Sequence, residues 1–367
     1  MITNQIKFAI YFIVFGCLCG VQILSAQVLS TSGQPDINHY GKLPEYRSLA
    51  ISPDGKHYAL IQRQANQDFF VILNAETLEM VGGFNADKFK ARGIHFVSNE
   101  HVVLESSKHT RMMQVRGSWE NSSAFVYNLT SKKIKTLLSS SKGLYPAQGG
   151  LGRIVGFNKK TSELYMPAFA GRLGATPKYH LYRVSLEHGR GKVHAKGKAS
   201  TIDWFVDQTG KVLAREDYNK STQEHQIYSK VTGSWQVIYS NETSIPDISL
   251  QALSRDGSNL LFIAGYDNNE AVFSMSLNDG AVQGPLYVRK DTDIGYLQTD
   301  INQTLIAVMY SGFTPDYEFS TAKDNDSYSI LANHFSSSSV SFHGNTADNN
   351  KWLIRVSGNE GASVYKV

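Results

Sequence analysis

The sequence predicts an all-β fold, a β-propeller with seven four-stranded blades preferred within a range of six to eight. Three observations predict it. One pattern, an apolar run, a polar turn and a second apolar run, recurs seven times along the chain. The turn centres lie roughly 45 to 50 residues apart, with one wider gap, and this period is typical of propeller blades. The 3.6-residue apolar period of a helical repeat is absent from the sequence.

The clearest copy of the repeat is Ala50–Leu60, in which Ser52–Lys56 separates the two apolar runs. Pro53 presets φ for the second turn position, Asp54 can cap the turn through its side chain, and Gly55 supplies a positive φ. The flanking runs have strand length and β-forming residues, so a hairpin is predicted. The other six copies are His95–Leu104, Gly156–Met166, Trp204–Ala214, Ala252–Phe262, Gln298–Val308 and Ser341–Ile354.

Most copies are followed by a second predicted hairpin, and two hairpins supply the four antiparallel strands of one blade. Five of these second hairpins are clear in the sequence: Phe69–Val81, Ser123–Leu137, Tyr179–Val193, Gln226–Ile238 and Ala271–Val282. The last two blades are less regular. Ser327–Phe335 is assigned to the outer hairpin of the sixth blade, and Ala362–Val367 to the beginning of that element in the seventh.

The N-terminus has the features of a secretory signal. Lys7 supplies a positive charge, Phe8–Leu24 is a nearly continuous apolar run, and Ala26 is a small residue at the expected cleavage site. A cleaved signal peptide is therefore the preferred interpretation. An uncleaved membrane anchor is one alternative, because the run approaches spanning length. A lipoprotein signal that ends at Cys17 is the other.

The predicted organisation is a signal peptide over 1–26, a linker over 27–42 and a single propeller domain over 43–367. Both cysteines, Cys17 and Cys19, lie in the signal segment, so the mature chain would have no disulfide and no thiol nucleophile. A large exported protein without disulfides is typical of a bacterial periplasm or cell surface. Only the signal segment is expected to contact a membrane.

Composition and charge do not favour a nucleic-acid partner. The chain is 41% hydrophobic and 19% charged, with a formal net charge of +4. Nucleic-acid binding usually needs a dense basic patch. The most basic stretch, His188–Lys198, holds four Lys or Arg and two His residues. It lacks interleaved aromatic residues for base stacking, so it is assigned to a solvated loop.

No motif predicts a metal or a cofactor, and none is expected. The 11 histidines are scattered, without a His-x-His or His-Glu-x-x-His pattern. His180 and His225 are assigned to the surface of strands. Asp324–Asp326 resembles the opening of a calcium loop, but the glycine and the glutamate are missing at the required offsets. This segment is therefore assigned to a solvated turn.

The turn Ser52–Lys56 resembles the Ser-Pro-Asp-Gly-Lys turn of WD40-like and TolB-type propellers. More of the chain is similar to the N-terminal propeller of the prolyl oligopeptidase (S9) family, especially of bacterial dipeptidyl-aminopeptidases and acylaminoacyl peptidases. The stretches that carry this resemblance are Leu43–Tyr46, Ile94–Leu104, Tyr179–Leu186, Ile202–Asp207, Gly210–Arg215 and Leu253–Gly257. The resemblance covers essentially the whole predicted mature chain.

This resemblance implies a partner domain rather than a catalytic residue. In that family an α/β-hydrolase domain follows the propeller and carries a Ser-Asp-His triad, with the serine on a G-x-S-x-G turn. No such motif occurs in the sequence, so the hydrolase domain is expected to be absent from this chain. The implied partners are that domain, joined in cis or acting in trans, and short peptides.

Arg215, Glu216 and Asp217 are the candidate substrate contacts. In some relatives, acidic residues of the propeller bind the free amino terminus of a substrate through charge-assisted hydrogen bonds. The alternative is that these three residues are an ordinary hairpin exit. No catalytic, cofactor-binding or metal-binding residue is predicted.

Three functions remain open from the sequence. The preferred one is the non-catalytic propeller of an exported S9-like serine peptidase, a truncated or split chain that gates or steers short peptides toward a hydrolase domain. The alternative is a stand-alone TolB-like propeller that binds proteins in the periplasm or at the cell surface. A third is an enzyme with a site in its own channel, such as a lactonase or a polysaccharide lyase, for which no residue cluster is found. The chain as given is therefore not expected to be an enzyme by itself.

Overall fold

Seven antiparallel β-sheets follow one another along the chain as the blades of a propeller. The computed structural model describes residues 41, 44–111, 117–138, 141–358 and 363–367. Pro44–Val367 form one compact unit. The predicted signal peptide, 1–26, and nearly all of the predicted linker, 27–42, lie outside the described residues. Among the helices that are described, none is long and apolar enough to cross a membrane.

Blades 1, 3 and 4 each contain four strands in sequence order, and blade 2 contains four such strands and a fifth short one. Blade 1 consists of β1 (Tyr46–Ile51), β2 (His57–Gln64), β3 (Gln67–Asn74) and β4 (Met80–Asn85). Blade 2 consists of β5 (Lys90–Phe96), β6 (His101–Thr110), β7 (Trp119–Asn128), β8 (Ile134–Thr136) and β9 (Gly150–Leu151), which pairs in parallel with β7. Blade 3 consists of β10 (Gly156–Asn158), β11 (Glu163–Ala170), β12 (Lys178–Ser185) and β13 (Gly191–Ala195). Blade 4 consists of β14 (Thr201–Val206), β15 (Val212–Asn219), β16 (Glu224–Ser229) and β17 (Gln236–Glu242).

The remaining blades complete the seven that the sequence predicted. Blade 5 consists of β18 (Ser249–Leu253), β19 (Asn259–Tyr266), β20 (Asn269–Ser276) and β21 (Val282–Tyr287). Blade 6 consists of β22 (Ile294–Thr299), β23 (Leu305–Tyr310) and β24 (Asp316–Phe319), followed by the helix α1 (Ala322–His334). Blade 7 consists of β25 (Ser338–Asn345), β26 (Trp352–Gly358) and β27 (Val364–Lys366). The seven-bladed all-β prediction is confirmed, although blades 6 and 7 have three strands each among the described residues.

The helix α1 replaces the outer hairpin that was predicted for blade 6 at Ser327–Phe335. Thr321 caps the helix: its hydroxyl accepts the backbone N–H of Asp324 at 3.2 Å and donates to the Asp324 carboxylate at 2.7 Å. Tyr328 is buried between blades 6 and 7 and joins the helix to their core. The predicted hairpin and the predicted solvated turn at Asp324–Asp326 are both wrong, because the Thr-x-x-Asp capping pattern begins a helix there.

The inner turn of blade 1 has the geometry that its sequence predicted. The Ser52 hydroxyl accepts the backbone N–H groups of Lys56 and His57 at 3.1 and 2.9 Å, and it donates to Asp54 at 2.7 Å. Gly55 has a φ of 67°, a left-handed conformation that glycine adopts without steric cost. All seven predicted inner hairpins are present, each formed by the first two strands of a blade.

The hydrophobic core lies between the blades rather than within one of them. Six clusters of buried apolar side chains join the six successive pairs from blades 1 and 2 to blades 6 and 7. Blade 7 meets blade 1 through the N–H of Ala347, which donates to the Pro53 carbonyl at 2.8 Å. Each described blade is built from consecutive strands, and none borrows a strand from blade 1 to close the ring.

The antiparallel order of the strands places every connection at one of two faces. Turns between the first and second strands of a blade, and between the third and fourth, lie at one face, which we call the turn face. Turns between the second and third strands, and the crossings to the next blade, lie at the opposite face, the crossover face. The first strands of blades 1 and 2, of blades 5 and 6, and of blades 7 and 1 contact one another.

Candidate functional site

The buried charged side chains of this protein are concentrated in blade 4. Among the described residues, every Asp, Glu, Arg or His that is no more than 7% exposed belongs to this blade. These residues are Asp203, Arg215, Glu216, Asp217 and His225. Charged side chains are seldom buried without a partner, so this cluster is the first candidate for a functional site.

Strand β15 lies between β14 and β16 and places the three predicted contact residues on both faces of the blade. Arg215 lies opposite Trp204 of β14 and Tyr228 of β16, on the face that packs against blade 3. Side chains alternate along a strand, so Asp217 shares this face. Glu216 points to the other face, toward blade 5.

Arg215 and Asp217 form a buried ion pair. Two guanidinium nitrogens of Arg215 donate to the two carboxylate oxygens of Asp217 at 2.8 and 2.9 Å. The Asp217 carboxylate also accepts the Thr201 hydroxyl at 2.7 Å. The guanidinium carbon lies 4.7 Å from the ring centre of Tyr228 and 4.8 Å from that of Trp235, within the range of cation–π attraction. Both charges are therefore engaged inside the blade.

On the opposite face, His225 lies between two carboxylates. Its Nε2 is 2.8 Å from Oε1 of Glu216, and its Nδ1 is 3.7 Å from Oδ1 of Asp247. Asp247 also accepts hydrogen bonds from the Tyr239 hydroxyl at 2.7 Å and the Asn241 amide at 2.8 Å. Burial raises the pKa of Asp247, but these hydrogen bonds outweigh it, so its pKa lies below the ordinary value. The imidazole is fully buried, so it links β15 and β16 to the crossing into blade 5 and cannot touch a ligand.

Asp203, the remaining member of this cluster, has a carboxyl group with a raised pKa. It lies directly after a β-bulge in β14 and forms an ion pair with Arg153, which precedes blade 3. Its Oδ1 accepts the backbone N–H of Trp204 at 2.6 Å. Burial raises the pKa of Asp203 to about 6, the Arg153 guanidinium opposes the rise, and the nearby Glu216 carboxylate adds to it.

The raised pKa of Asp203 makes the stability of the propeller depend on pH. The folded protein holds the Asp203 proton more tightly than the unfolded chain, whose pKa is near 3.8. The stabilisation from this proton is therefore present below about pH 4 and is lost as the pH rises through about 6. Relative to Asp203→Asn, the free energy of unfolding of the wild type should fall by about 2 kcal/mol between about pH 4.5 and 7.5.

Urea unfolding of the wild type and Asp203→Asn over this pH range measures the effect. Asp87→Asn, at an exposed carboxylate in the crossing from blade 1 to blade 2, is the matched control. Its difference from the wild type should not vary with pH in this way. If the difference in unfolding free energy between the wild type and Asp203→Asn stays constant over this pH range, the assigned pKa is wrong.

The crossover face carries a second candidate feature, a set of exposed apolar side chains that we call the apolar ring. Phe313, between β23 and β24, is fully exposed, and Ile245, in the crossing from blade 4 to blade 5, is 72% exposed. Trp119, Leu173 and Tyr266 are each between 43% and 51% exposed at this face. Single exposed apolar residues are ordinary, but five in the loops and at the strand ends of one face form a candidate contact surface for a partner.

The first strands of the blades surround the central channel of a propeller, and their exposed side chains have mixed chemistry. The exposed residues on the first strands of the blades include Arg92, His95, Ile202, Tyr296 and His343. Across the described ranges, no group of three or more His, Cys, Asp or Glu side chains is arranged to hold a metal ion. The first strands of the blades therefore present polar, basic and apolar side chains at the surface.

The structure brings the predicted residues Arg215, Glu216 and Asp217 together, but within β15 and facing internal partners. Their contact with a substrate stays a prediction. His225 was assigned to a strand surface, and this assignment is wrong, because the histidine is fully buried against Glu216. Sequence reasoning missed Asp203, although an aspartate inside the apolar run Ile202–Val206 is a signal of a buried carboxylate.

Comparison with known proteins supports the fold. No protein-family model and no curated protein matches the chain. The β-propeller domain of the Trilobed protease from Pyrococcus furiosus, described as having an open velcro topology, matches with a TM-score of 0.50 at 12% identity, over 88% of this chain and 98% of that one. Prolyl oligopeptidase B from Galerina marginata, bound to a 35mer hydrolysis and macrocyclization substrate, matches with a TM-score of 0.52 at 9% identity, over 87% of this chain and 47% of that one.

These likenesses define a class of fold, the seven-bladed propeller found as a domain of peptidases. The resemblance to propellers of the prolyl oligopeptidase family is confirmed at the level of the fold, since identities this low show the fold alone. The chain spans half the length of the acylaminoacyl peptidase structures that it matches, 50% in each. TolB from Acinetobacter baumannii matches with a TM-score of 0.37, which is too low to support an argument.

Proposed function

We propose that this chain is the non-catalytic propeller of an exported serine peptidase of the prolyl oligopeptidase type. It would gate or steer short peptides to a hydrolase domain and keep folded proteins out. The observation that carries the proposal is the apolar ring, a set of five exposed apolar side chains at the crossover face of a seven-bladed propeller. Excluding large substrates is a steric task, so it needs rigid blades and no catalytic group in this chain. The apolar segment Phe8–Leu24, which has the features of a secretory signal, supports the proposed export.

The apolar ring is the proposed docking surface for the hydrolase domain. Phe313 and Ile245 project from loops and are more exposed than the other three members of the ring. Each stabilises a complex by about 1.5–3 kcal/mol if a partner buries it fully. A domain on the crossover face covers one end of the channel, so peptides reach it from the turn face past the polar and cationic channel residues.

The proposal is tested with the hydrolase encoded in the same or an adjacent reading frame, identified by its G-x-S-x-G turn. The purified propeller alone should not cleave aminoacyl or prolyl chromogenic peptides. Mixed with that hydrolase, it should form a complex that cleaves short peptides and spares folded proteins. Ile245→Ser with Phe313→Ser should weaken the complex by at least about tenfold, from the loss of two buried apolar side chains.

Leu78→Ser with Val282→Ser is the matched control, because these residues are 61% and 53% exposed but lie at the turn face. This pair should bind the hydrolase like the wild type. Turnover by the propeller alone that a serine-directed inhibitor abolishes would contradict the proposal. The absence of any such hydrolase gene, together with stable binding to an envelope protein, would replace it with the TolB-like alternative.

A further inference from the structure

A basic groove runs along the turn face of blades 3 and 4 and reaches the edge of blade 2. Its main cavity has a volume of ≈ 860 Å³ and lies between residues of the β10–β11 turn and of the β14–β15 and β16–β17 turns. A second cavity of ≈ 510 Å³ adjoins it on the outer side of blade 3. Glu163 and Arg183 line both cavities, so the two form one continuous groove.

The groove concentrates positive charge. Its lining contains seven lysine or arginine residues from three blades, which are Lys135, Arg183, Arg190, Lys192, Lys196, Lys211 and Lys230. Glu163 is the one carboxylate in the lining. Seven cations less one carboxylate leave a surplus of six positive charges, whereas the whole chain has a net charge of +4. The excess positive charge of the protein is therefore concentrated in this groove.

Most of these cations have no internal counter-ion. Arg183 pairs with Glu163 at 3.3 Å. In the part of the chain that the structure describes, the other six have no carboxylate within 4.0 Å. Clustered like charges repel one another and focus the field of the surface on an oppositely charged ligand. This differs from blade 4, where the buried charges are paired inside the protein.

The basic stretch of the sequence supplies one wall of the groove. His188–Lys198 was assigned to a solvated loop, but its centre forms β13, the outer strand of blade 3. Lys192 and Arg190 line the second cavity, and Lys196 lines the main one. Blade 4 provides the facing wall with Lys211, from its inner turn.

The lining chemistry distinguishes between classes of polyanion. Single-stranded nucleic acid requires exposed aromatic faces for base stacking. Tyr165 is 2% exposed and packs on His194, while the ring of Trp235 lies against Arg215 and Lys230. An extended peptide requires pockets for alternate side chains, whereas this groove is open and most of the residues that line it are charged or polar. Cations spread over three blades suit a polymer with regularly repeated charges.

We propose that this groove binds an acidic polysaccharide, a chain of sugars that carry carboxylate or sulfate groups. The anionic groups would pair with the six unpaired cations, and the sugar hydroxyls would bond to polar groups such as Thr161 and Thr209 in the lining. This site is separate from the crossover face and does not depend on the proposed peptidase role.

Binding of heparin and of alginate oligosaccharides to the purified full chain tests this proposal, measured by calorimetry at two salt concentrations. Lys192→Glu, Lys196→Glu and Lys211→Glu, combined in one variant, should weaken binding by at least about tenfold through the loss of three cation contacts. The wild-type affinity should fall as salt is added. Circular dichroism and thermal unfolding verify that the variant is folded.

The matched control combines Lys88→Glu, Lys290→Glu and Lys323→Glu, which are exposed and lie outside the groove. It has the same net charge as the groove variant and should bind within about twofold of the wild type, because its lost cations are remote from the ligand. Equal weakening in the two variants would overturn the proposal, since only net charge would then matter. Tighter binding of poly-glutamate or oligo-dT than of both polysaccharides, or no binding of either polysaccharide, would also overturn it.

Discussion

Asp217→Ala is expected to destabilise the propeller by about 3–5 kcal/mol, the usual cost of breaking a buried ion pair from one side. The substitution leaves the Arg215 guanidinium buried, at 5% exposure, without its two carboxylate acceptors. It also removes the acceptor of the Thr201 hydroxyl. Urea unfolding at neutral pH measures the loss, which is a large part of the 5–15 kcal/mol that stabilises an ordinary domain.

A double variant distinguishes the cost of an unpaired buried charge from the cost of lost packing around β15. Arg215→Met with Asp217→Leu replaces both charges by apolar groups of similar length, and such replacements are often close to neutral. We expect the double variant to recover most of the stability that Asp217→Ala loses. A double variant as unstable as the single one would mean that packing around β15, rather than the unpaired charge, sets the cost.

The same double variant tests the predicted substrate contact. If Arg215 and Asp217 contact the amino terminus of a peptide, the stable double variant should lose affinity for short peptides with a free amino terminus. Acetylated peptides should then bind both proteins equally. If the pair only supports blade 4, the affinities of the wild type and the double variant should agree. The readout is independent of stability because both proteins are folded.

The inner hairpins could be predicted because their signals are local. Ser52, Asp54 and Gly55 lie within one turn, and their hydrogen bonds and positive φ involve neighbours in sequence. The same turn chemistry recurs at Ser254–Gly257, where Ser254 bonds to Asp256 at 2.6 Å. A local signal also marked α1, the Thr-x-x-Asp pattern at Thr321, but Ser327–Phe335 was predicted as an outer hairpin because five other blades have a second hairpin at this place.

The charged sites could not be predicted because their partners are distant in sequence. Asp203 pairs with Arg153, which lies just before blade 3, 50 positions away. The groove forms where Lys211 of blade 4 and Lys196, which follows the last strand of blade 3, line the same cavity. The sequence alone identifies the basic residues of β13 but not the residues of blade 4 that line the other side of the groove. It therefore cannot distinguish a solvated loop from a binding groove.

The basic groove and the buried Arg215–Asp217 pair share one side chain. Trp235 lines the groove, and its ring also contacts the buried guanidinium of Arg215. The Arg215–Asp217 pair therefore supports the floor of the groove from inside the blade. A substitution that frees Arg215 should disturb both the stability of the blade and the position of Trp235.

Gly210→Ala is the second substitution with a large expected effect, about 3 kcal/mol or more of destabilisation from a strained backbone and a steric overlap. Gly210 lies in the β14–β15 turn with a φ of +84°, where an L side chain is strained. A Cβ at this position would also lie 1.8 Å from the hydroxyl oxygen of Tyr165. Tyr165 is 2% exposed in the core between blades 3 and 4, so it cannot move aside without opening that core.

Two glycines in equivalent turns separate backbone strain from the overlap. Gly257, in blade 5, has a φ of +68° and no atom within 4 Å of an added Cβ, so Gly257→Ala should cost only about 1–2 kcal/mol. Gly55, in blade 1, has a φ of +67° and Cγ2 of Thr346 at 3.0 Å. Gly55→Ala should destabilise the protein by an intermediate amount, because the Thr346 methyl group can shift by a few tenths of an ångström. Urea unfolding should therefore order the losses as Gly257→Ala, Gly55→Ala and Gly210→Ala. Equal losses at all three positions would show that the left-handed turn, and not the contact between blades 3 and 4, determines the cost.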